Sequence, residues 1–249
     1  MFETLDVDLA WKEGDENIFI PIMVVTVCFT LYWFVMKSER IKTYYYTKYD
    51  FDQASYRHII FTKYFGFISM GLLPVVFCIP LLPEYSLQDY GVTIIPETTL
   101  FSLIWILCLS IPIIPLVSYS ARQPKNLINY PQVRSRIWTT RMMCMYALGW
   151  FIYLLGYEFL FRGILLIPLA DSIGIWPAVG VNIALYSATH IPKGLDETVG
   201  AIPFGLVLCL LTLASGTIWI AFFVHVVLAW TNFFTALKYN PEMNYIKKK

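Results

Sequence analysis

Charge is what this 249-residue chain has least of: 14% of its residues are Asp, Glu, Lys or Arg, against 58% that are apolar. A soluble domain carries about 25% charged residues, and here the charges are also segregated, leaving long windows with none. Histidine is scarcer still, at three residues. The cysteines (Cys28, Cys78, Cys108, Cys144 and Cys209) are scattered, with no C-x-x-C pair. That excludes a legible disulfide framework and a cysteine metal site; a reduced Cys beside an apolar run acts as a small hydrophobe. Phosphate-binding glycine loops, H-E-x-x-H and G-x-S-x-G are missing. There is no internal repeat and no low-complexity tract, and no matching halves with broken helices of the kind a transporter needs. A net charge of +1 gives no footprint for nucleic acid, which is not expected as a partner.

What is present is long apolar runs. A membrane helix takes about 20 apolar residues, and the runs at 18–36, 64–82, 100–117, 142–161, 176–190, 199–215 and 218–237 qualify, with room for an eighth half-span at 164–170. The fold class is therefore all-α: a polytopic membrane bundle of about seven helices in the lipid bilayer. The fifth run is short, which implies tilt or shielding by neighbours. Pro74, Pro80, Pro112, Pro115 and Pro203 interrupt several spans, as membrane helices tolerate. The organisation reads as an N-terminal three-helix region (1–140), a four-helix core (141–238) and a basic tail (239–249).

Loop charge sets the expected orientation. Lys37, Arg40, Lys42, Lys48, Arg57 and Lys63 fall between the first two runs, and Arg122, Lys125, Arg134, Arg136 and Arg141 between the third and fourth. The connection 83–99 has no Lys or Arg. The start of the chain sets Glu3, Asp6, Asp8, Glu13, Asp15 and Glu16 against Lys12 alone. It has no basic n-region, so the first run reads as a retained span. Cationic loops stay inside, giving an external N-terminus, a cytoplasmic C-terminus with Lys238 and Lys247–Lys249, and a multi-pass cell-membrane protein. Tyrosines among the lysines of 37–63 suit a headgroup-level surface segment, in which His58 is expected to be solvated.

An ionisable group in hydrocarbon is costly unless paired or hydrated, and so marks a functional site. Glu158 and Arg162 stand at i and i+4, on one helix face, able to pair. The same pair also suits a buried packing role. Gly163 follows and permits close backbone approach or a bend. His190 closes the fifth run, and His225 lies inside the last, where nothing apolar satisfies its ring nitrogens. With Glu158, the two histidines form a set able to activate a water or to hold a metal, zinc being the candidate.

In order, Tyr157-Glu158-Phe159-Leu160-Phe161-Arg162, Tyr186-Ser187-Ala188-Thr189-His190 and His225-Val226-Val227-Leu228-Ala229 resemble the three motifs of the CPBP (CAAX protease and bacteriocin-processing, or Abi) intramembrane proteases: E-E-x-x-x-R, F-x-x-x-H and H-x-x-x-N. The resemblance covers about 147–234. It implies an intramembrane endopeptidase that cleaves a membrane-associated peptide or protein by activated water. Its site would be Glu158, Arg162, His190 and His225, with a glutamate and His190 as base and His225 helping to hold the oxyanion. Tyr157 stands where the family has its first glutamate, and Ala229 where it has asparagine. Glu197, seven residues after His190, is a substitute acid, and Glu158 itself is another. Asn232, at i+7 from His225 and on the same helix face, is a substitute oxyanion donor. A catalytically inactive scaffold, immunity or maturation partner is the alternative. Straight spans would set Glu158 and His225 at one side of the membrane and His190 at the other. A shared site then needs the fourth helix to continue through 164–170, or the fifth to begin below the surface.

Overall fold

The computed structural model describes residues 8–246. Glu3 and Asp6 of the acidic start, and Lys247–Lys249 of the basic tail, lie outside the described residues.

Helix α1 (Glu16–Met36) is followed by α2 (Glu39–Lys48), whose first turn is capped by the Ser38 hydroxyl, and by α3 (Phe51–Phe67), capped by the Asp50 carboxylate. These side chains satisfy amide N–H groups that a helix start leaves unpaired. A π-helical stretch, Ile68–Leu72, carries α3 into α4 (Leu73–Leu81). Then come α5 (Pro96–Ala121), the short α6 (Pro124–Leu127) and α7 (Thr140–Glu158). A second π-helical stretch, Phe159–Leu166, joins α7 to α8 (Ile167–Ile173). After Gly174, at φ 86°, come α9 (Ile175–Ala188), a 3₁₀ turn (Ile191–Lys193), α10 (Leu195–Ser215) and α11 (Trp219–Tyr239). Strand β1 (Ile137–Thr139) pairs in parallel with β2 (Asn244–Ile246), tying the tail to the start of α7.

Among the described residues, six helical runs are long and apolar enough to cross a membrane: Glu16–Lys48, Phe51–Leu81, Pro96–Ala121, Thr140–Ile173, Leu195–Ser215 and Trp219–Tyr239. The bundle is an all-α membrane fold, as the composition implies. The fifth run expected from the sequence, 176–190, is α9, which falls short of a full span at 14 residues. The half-span foreseen at 164–170 is not separate, because α7 runs on through its π-helical stretch into α8.

Burial sorts the helices by neighbour. In the most apolar stretch of α5 only 11% is buried, whereas in the run Thr140–Ile173 the figure is 78%. Leu100, Leu107, Ile111 and Leu116 on α5 are open to the outside of the bundle, a surface only lipid can cover at no cost. The central run is therefore enclosed by protein, and it is the run that carries Glu158 and Arg162.

Two positions of the basic segment differ from expectation. His58 is buried at 8% exposure rather than solvated, because α3 begins at Phe51 and places its ring beside those of Tyr45 and Tyr46. Lys63 is not a surface charge either: it is 2% exposed. Its ammonium lies 3.1 Å from the centre of the Trp150 ring and 4.5 Å from that of Tyr153, a cation–π seat that offsets part of the lost hydration.

Small residues set the helix spacing around the central run. A Cβ on Gly156 would come within 3.0 Å of the Gly71 nitrogen, so α7 and the first π-helical stretch touch backbone to backbone. Gly163 makes the close approach anticipated for it: a Cβ there would lie 2.6 Å from the Tyr90 carbonyl oxygen. Tyr90 belongs to the α4–α5 connection, which also binds the start of α11 through Ile218 N–H to Gly91 O (3.1 Å) and Trp219 Nε1–H to Thr93 O (2.6 Å). Gly163→Ala should therefore destabilise the protein by about 1–3 kcal/mol, the usual cost of overpacking. Gly180→Ala, where an added Cβ meets nothing within 4 Å, should be neutral or mildly stabilising. Thermal unfolding of the two variants in detergent checks both, and equal melting temperatures would refute the close-contact reading.

Candidate active site

Glu158 ends α7 and Arg162 lies one turn on, inside the π-helical stretch; both side chains are fully buried. Such wide turns recur at functional positions because they re-aim side chains at a cost in backbone geometry. Arg162 Nε stands 3.5 Å from Glu158 Oε2. On its other side Arg162 Nη1–H donates to Asn182 Oδ1 (3.3 Å), and the guanidinium carbon lies 4.3 Å from the centre of the Tyr186 ring. Asn182 is itself fixed, donating to the Phe161 carbonyl (2.6 Å) and accepting from Cys209 Sγ (3.1 Å). The ion pair thus pins the central run to α9 and α10.

The second oxygen of Glu158 faces α11. His225 Nδ1–H donates to Glu158 Oε1 at 2.6 Å, since an ionised carboxylate only accepts. That leaves Nε2 of His225 as the free nitrogen. His190, at the end of α9, is held in a parallel manner: its Nδ1 lies 3.0 Å from the Tyr186 carbonyl oxygen. A carbonyl likewise only accepts, so Nδ1 carries the proton and Nε2 is free here too. Thr189 Oγ1 donates to the same carbonyl (2.7 Å), and the Tyr157 hydroxyl then donates to Thr189 Oγ1 (2.8 Å). Tyr157 also sets its ring against His225, centroids 5.8 Å apart at 84°. It therefore braces the peptide that carries His190 and presents no base.

His190, Glu197, His225 and Asn232 all line one cavity of about 420 Å³ between α9, α10 and α11. Glu158 and Arg162 lie behind its wall, out of contact with it. The two histidines come together despite their separation along the spans because the fourth helix continues through 164–170, one of the two solutions the sequence allows, and because α9 is short. Glu197 accepts from the Tyr130 hydroxyl (3.1 Å) and sits 3.7 Å from Lys193 Nζ. Burial pushes the Tyr130 phenol up from its ordinary value, and the Glu197 charge adds to this, so the phenol remains a donor. Ala229, in the place of the expected asparagine, contributes only a methyl group to the cavity wall, and Asn232 is the amide that α11 supplies there.

Sequence reasoning missed Asn182, Thr189 and Tyr130. Asn182 carried a usable signal, being an amide in an otherwise apolar run. Thr189 and Tyr130 carried none, because their roles depend on which helix end meets which loop.

The donors named for zinc do not fit one. Among the described residues, no three His, Cys, Asp or Glu side chains are placed to hold a metal ion. Glu158 is enclosed and engaged by His225 and Arg162, while the two Nε2 atoms alone make an incomplete set.

Removing one partner of a buried ion pair strands the other charge, which costs about 3–5 kcal/mol. Glu158→Ala should be destabilised to that extent. Adding Arg162→Met should restore a large part of it, giving a strong coupling in a double-mutant cycle. Chemical denaturation of the single and double variants in detergent measures this, and additive losses would mean that the two groups do not interact.

No curated protein and no solved structure matches the chain. Residues 139–231 match the family model described as Type II CAAX prenyl endopeptidase Rce1-like. The matched stretch runs from the start of α7 to the helix that carries His225, so it contains the ion pair and both histidines. That match, with the three motifs in order, supports the assignment of this membrane protein to the CPBP family.

Proposed function

We propose that the chain is an intramembrane endopeptidase of the CAAX-protease kind, hydrolysing a peptide bond in a membrane-associated peptide or protein. The observation that carries this reading is the pair of imidazoles on one cavity. Each has Nδ1 fixed by an acceptor and Nε2 left free, with Glu197 and Asn232 on the same wall.

Glu158, enclosed by protein, holds His225 and does not itself meet water. An acid behind an imidazole fixes its tautomer and stabilises the imidazolium that forms. His225 Nε2 takes a proton as a water oxygen adds to the scissile carbonyl carbon, and returns it to the amine nitrogen as the C–N bond breaks. The products are a carboxylic acid and an amine. The Asn232 amide is the donor for the oxyanion, whose stabilisation is commonly the largest contribution to such a reaction. His190 Nε2 and Glu197 orient the attacking water from the side of α9 and α10. The role of base thus moves from the glutamate–His190 pair implied by the family motifs to the Glu158–His225 dyad. The basic connections between α1 and α3 and between α5 and α7 favour a multi-pass protein with its N-terminus outside and its C-terminus in the cytoplasm, α9 returning the chain between the fourth and fifth of the six long runs.

In proteoliposomes the wild type should cleave a lipid-tethered CAAX-type peptide. His190→Ala and His225→Ala should each lower the rate by about 10²–10⁴, the usual worth of general acid–base catalysis. Mass spectrometry of the products reads the bond cut. Full activity in either variant removes that histidine from the scheme. A wild type that cleaves nothing would favour the inactive scaffold, in which Tyr157 and Ala229 are the marks of lost chemistry.

A further inference from the structure

A second cavity, of about 300 Å³, opens on the other side of the histidines. His190, His225, Lys193 and Trp150 line both cavities, so the two chambers share the wall on which the chemistry sits. Their charge differs. The first holds two ion pairs, Lys125 with Asp196 (2.7 Å) and Lys193 with Glu197 (3.7 Å). The second has Lys37 and Lys63 on its walls, with Lys193 shared from the first, and among the described residues no carboxylate lines it.

Lys63 is the informative member. It is 2% exposed on a membrane helix, and among the described residues no carboxylate lies within 4.0 Å of its ammonium. Its neighbours are the faces of Trp150 and Tyr153. Lys37, at the cavity rim, is likewise held over a ring, with Nζ 5.2 Å from the centre of Trp33. Aromatic faces recover only part of what a buried ammonium loses. The rest would come from an anion brought by a ligand. The walls between the lysines are aromatic, so the ligand is an anion on an apolar body, and it lies against the same histidines as the bond to be cut.

Resting on the endopeptidase reading above, we infer that this second cavity is a carboxylate subsite: Lys63, helped by Lys37, receives the free C-terminal carboxylate of the peptide segment released on cleavage. The subsite gives the substrate its direction. The segment bearing the terminal carboxylate lies towards α1 and α3, the scissile bond at the histidine wall, and the remainder of the substrate towards α10 and α11. Lys63 contacts no reacting atom and acts on specificity.

The test uses the full chain in phosphatidylcholine proteoliposomes and one lipid-tethered dansyl peptide made in two forms, C-terminal acid and C-terminal amide. The wild type should prefer the acid by about tenfold or more in kcat/KM, the worth of one hydrogen bond to a charged group. The preference should reside in KM. In Lys63→Met, and more weakly in Lys37→Met at the exposed rim, the acid-to-amide ratio should fall towards one. Equal cleavage of acid and amide by the wild type overturns the inference, as does an unchanged ratio in Lys63→Met.

A binding arm is independent of turnover. In His225→Ala, energy transfer from tryptophan, with Trp33 and Trp150 at the cavity, to the dansyl group should report tighter binding of the acid than of the amide. If the wild type cleaves neither peptide but this difference persists and vanishes on adding Lys63→Met, the subsite stands and the proteolytic reading falls. Equal binding of both forms overturns the subsite. If phosphatidic acid in the vesicles abolishes the difference while phosphatidylcholine does not, the anion held there is a lipid headgroup, and the inference is overturned in favour of a lipid site.

Discussion

Two oxygens of one carboxylate, both withdrawn from solvent, organise the centre of this protein. Glu158 gives one oxygen to Arg162 and the other to His225, so a charge that would be prohibitive alone in hydrocarbon becomes the link between helices α7, α9 and α11. Arg162 carries the linkage on to Asn182 and the Tyr186 ring, and Asn182 to Cys209 on α10. Buried ion pairs add little net stability compared with a well-packed apolar replacement. What this one supplies is position: it holds an imidazole ring in one tautomer at one place on a cavity wall. The same residues therefore account for the packing of the core and the poise of the candidate site.

Tyr157 illustrates how a site can change its parts and keep its shape. At the place where the family pattern has an acid, the phenol cannot act as a base at neutral pH. It reaches Thr189 instead, and through it stiffens the peptide that presents His190. An acid does remain in the cavity, but it comes from Glu197 on α10, where Tyr130 and Lys193 hold it. Asn232 lies within a turn of Ala229 and lines the same cavity, whereas Glu197 comes from α10 and lines a cavity that Tyr157 does not reach.

Much of this was legible before any coordinates, and for one reason. In a chain so poor in charge, each ionisable residue within an apolar run is conspicuous, which singles out Glu158, Arg162, His190 and His225 without further help. Helical spacing extends that to Asn232. The same rule failed at the basic segment. Lys63 and His58 look like loop residues because lysines and tyrosines surround them in sequence, and only the tertiary meeting of α3 with Trp150 and of α2 with α3 shows them buried. The π-helical stretches were not legible either, since nothing in F-L-F-R-G-I-L-L distinguishes a wide turn from an ordinary one until its neighbours are in place. The shortness of α9 was legible, as a run too brief to span without tilt or shielding, but which neighbour lies against it was not.

The lipid-facing character of α5 has a consequence for the candidate site. This helix shows most of its surface to the bilayer, and its remaining side lies along α11, the helix that carries His225. A helix wetted by lipid can adjust to bilayer thickness by tilting, and α5 carries Pro112 and Pro115 in its interior, each of which removes a backbone donor. The α5–α11 seam thus sets the helix most open to lipid directly against the one that carries His225, so one wall of the candidate site is backed by a helix whose other face is left to the bilayer.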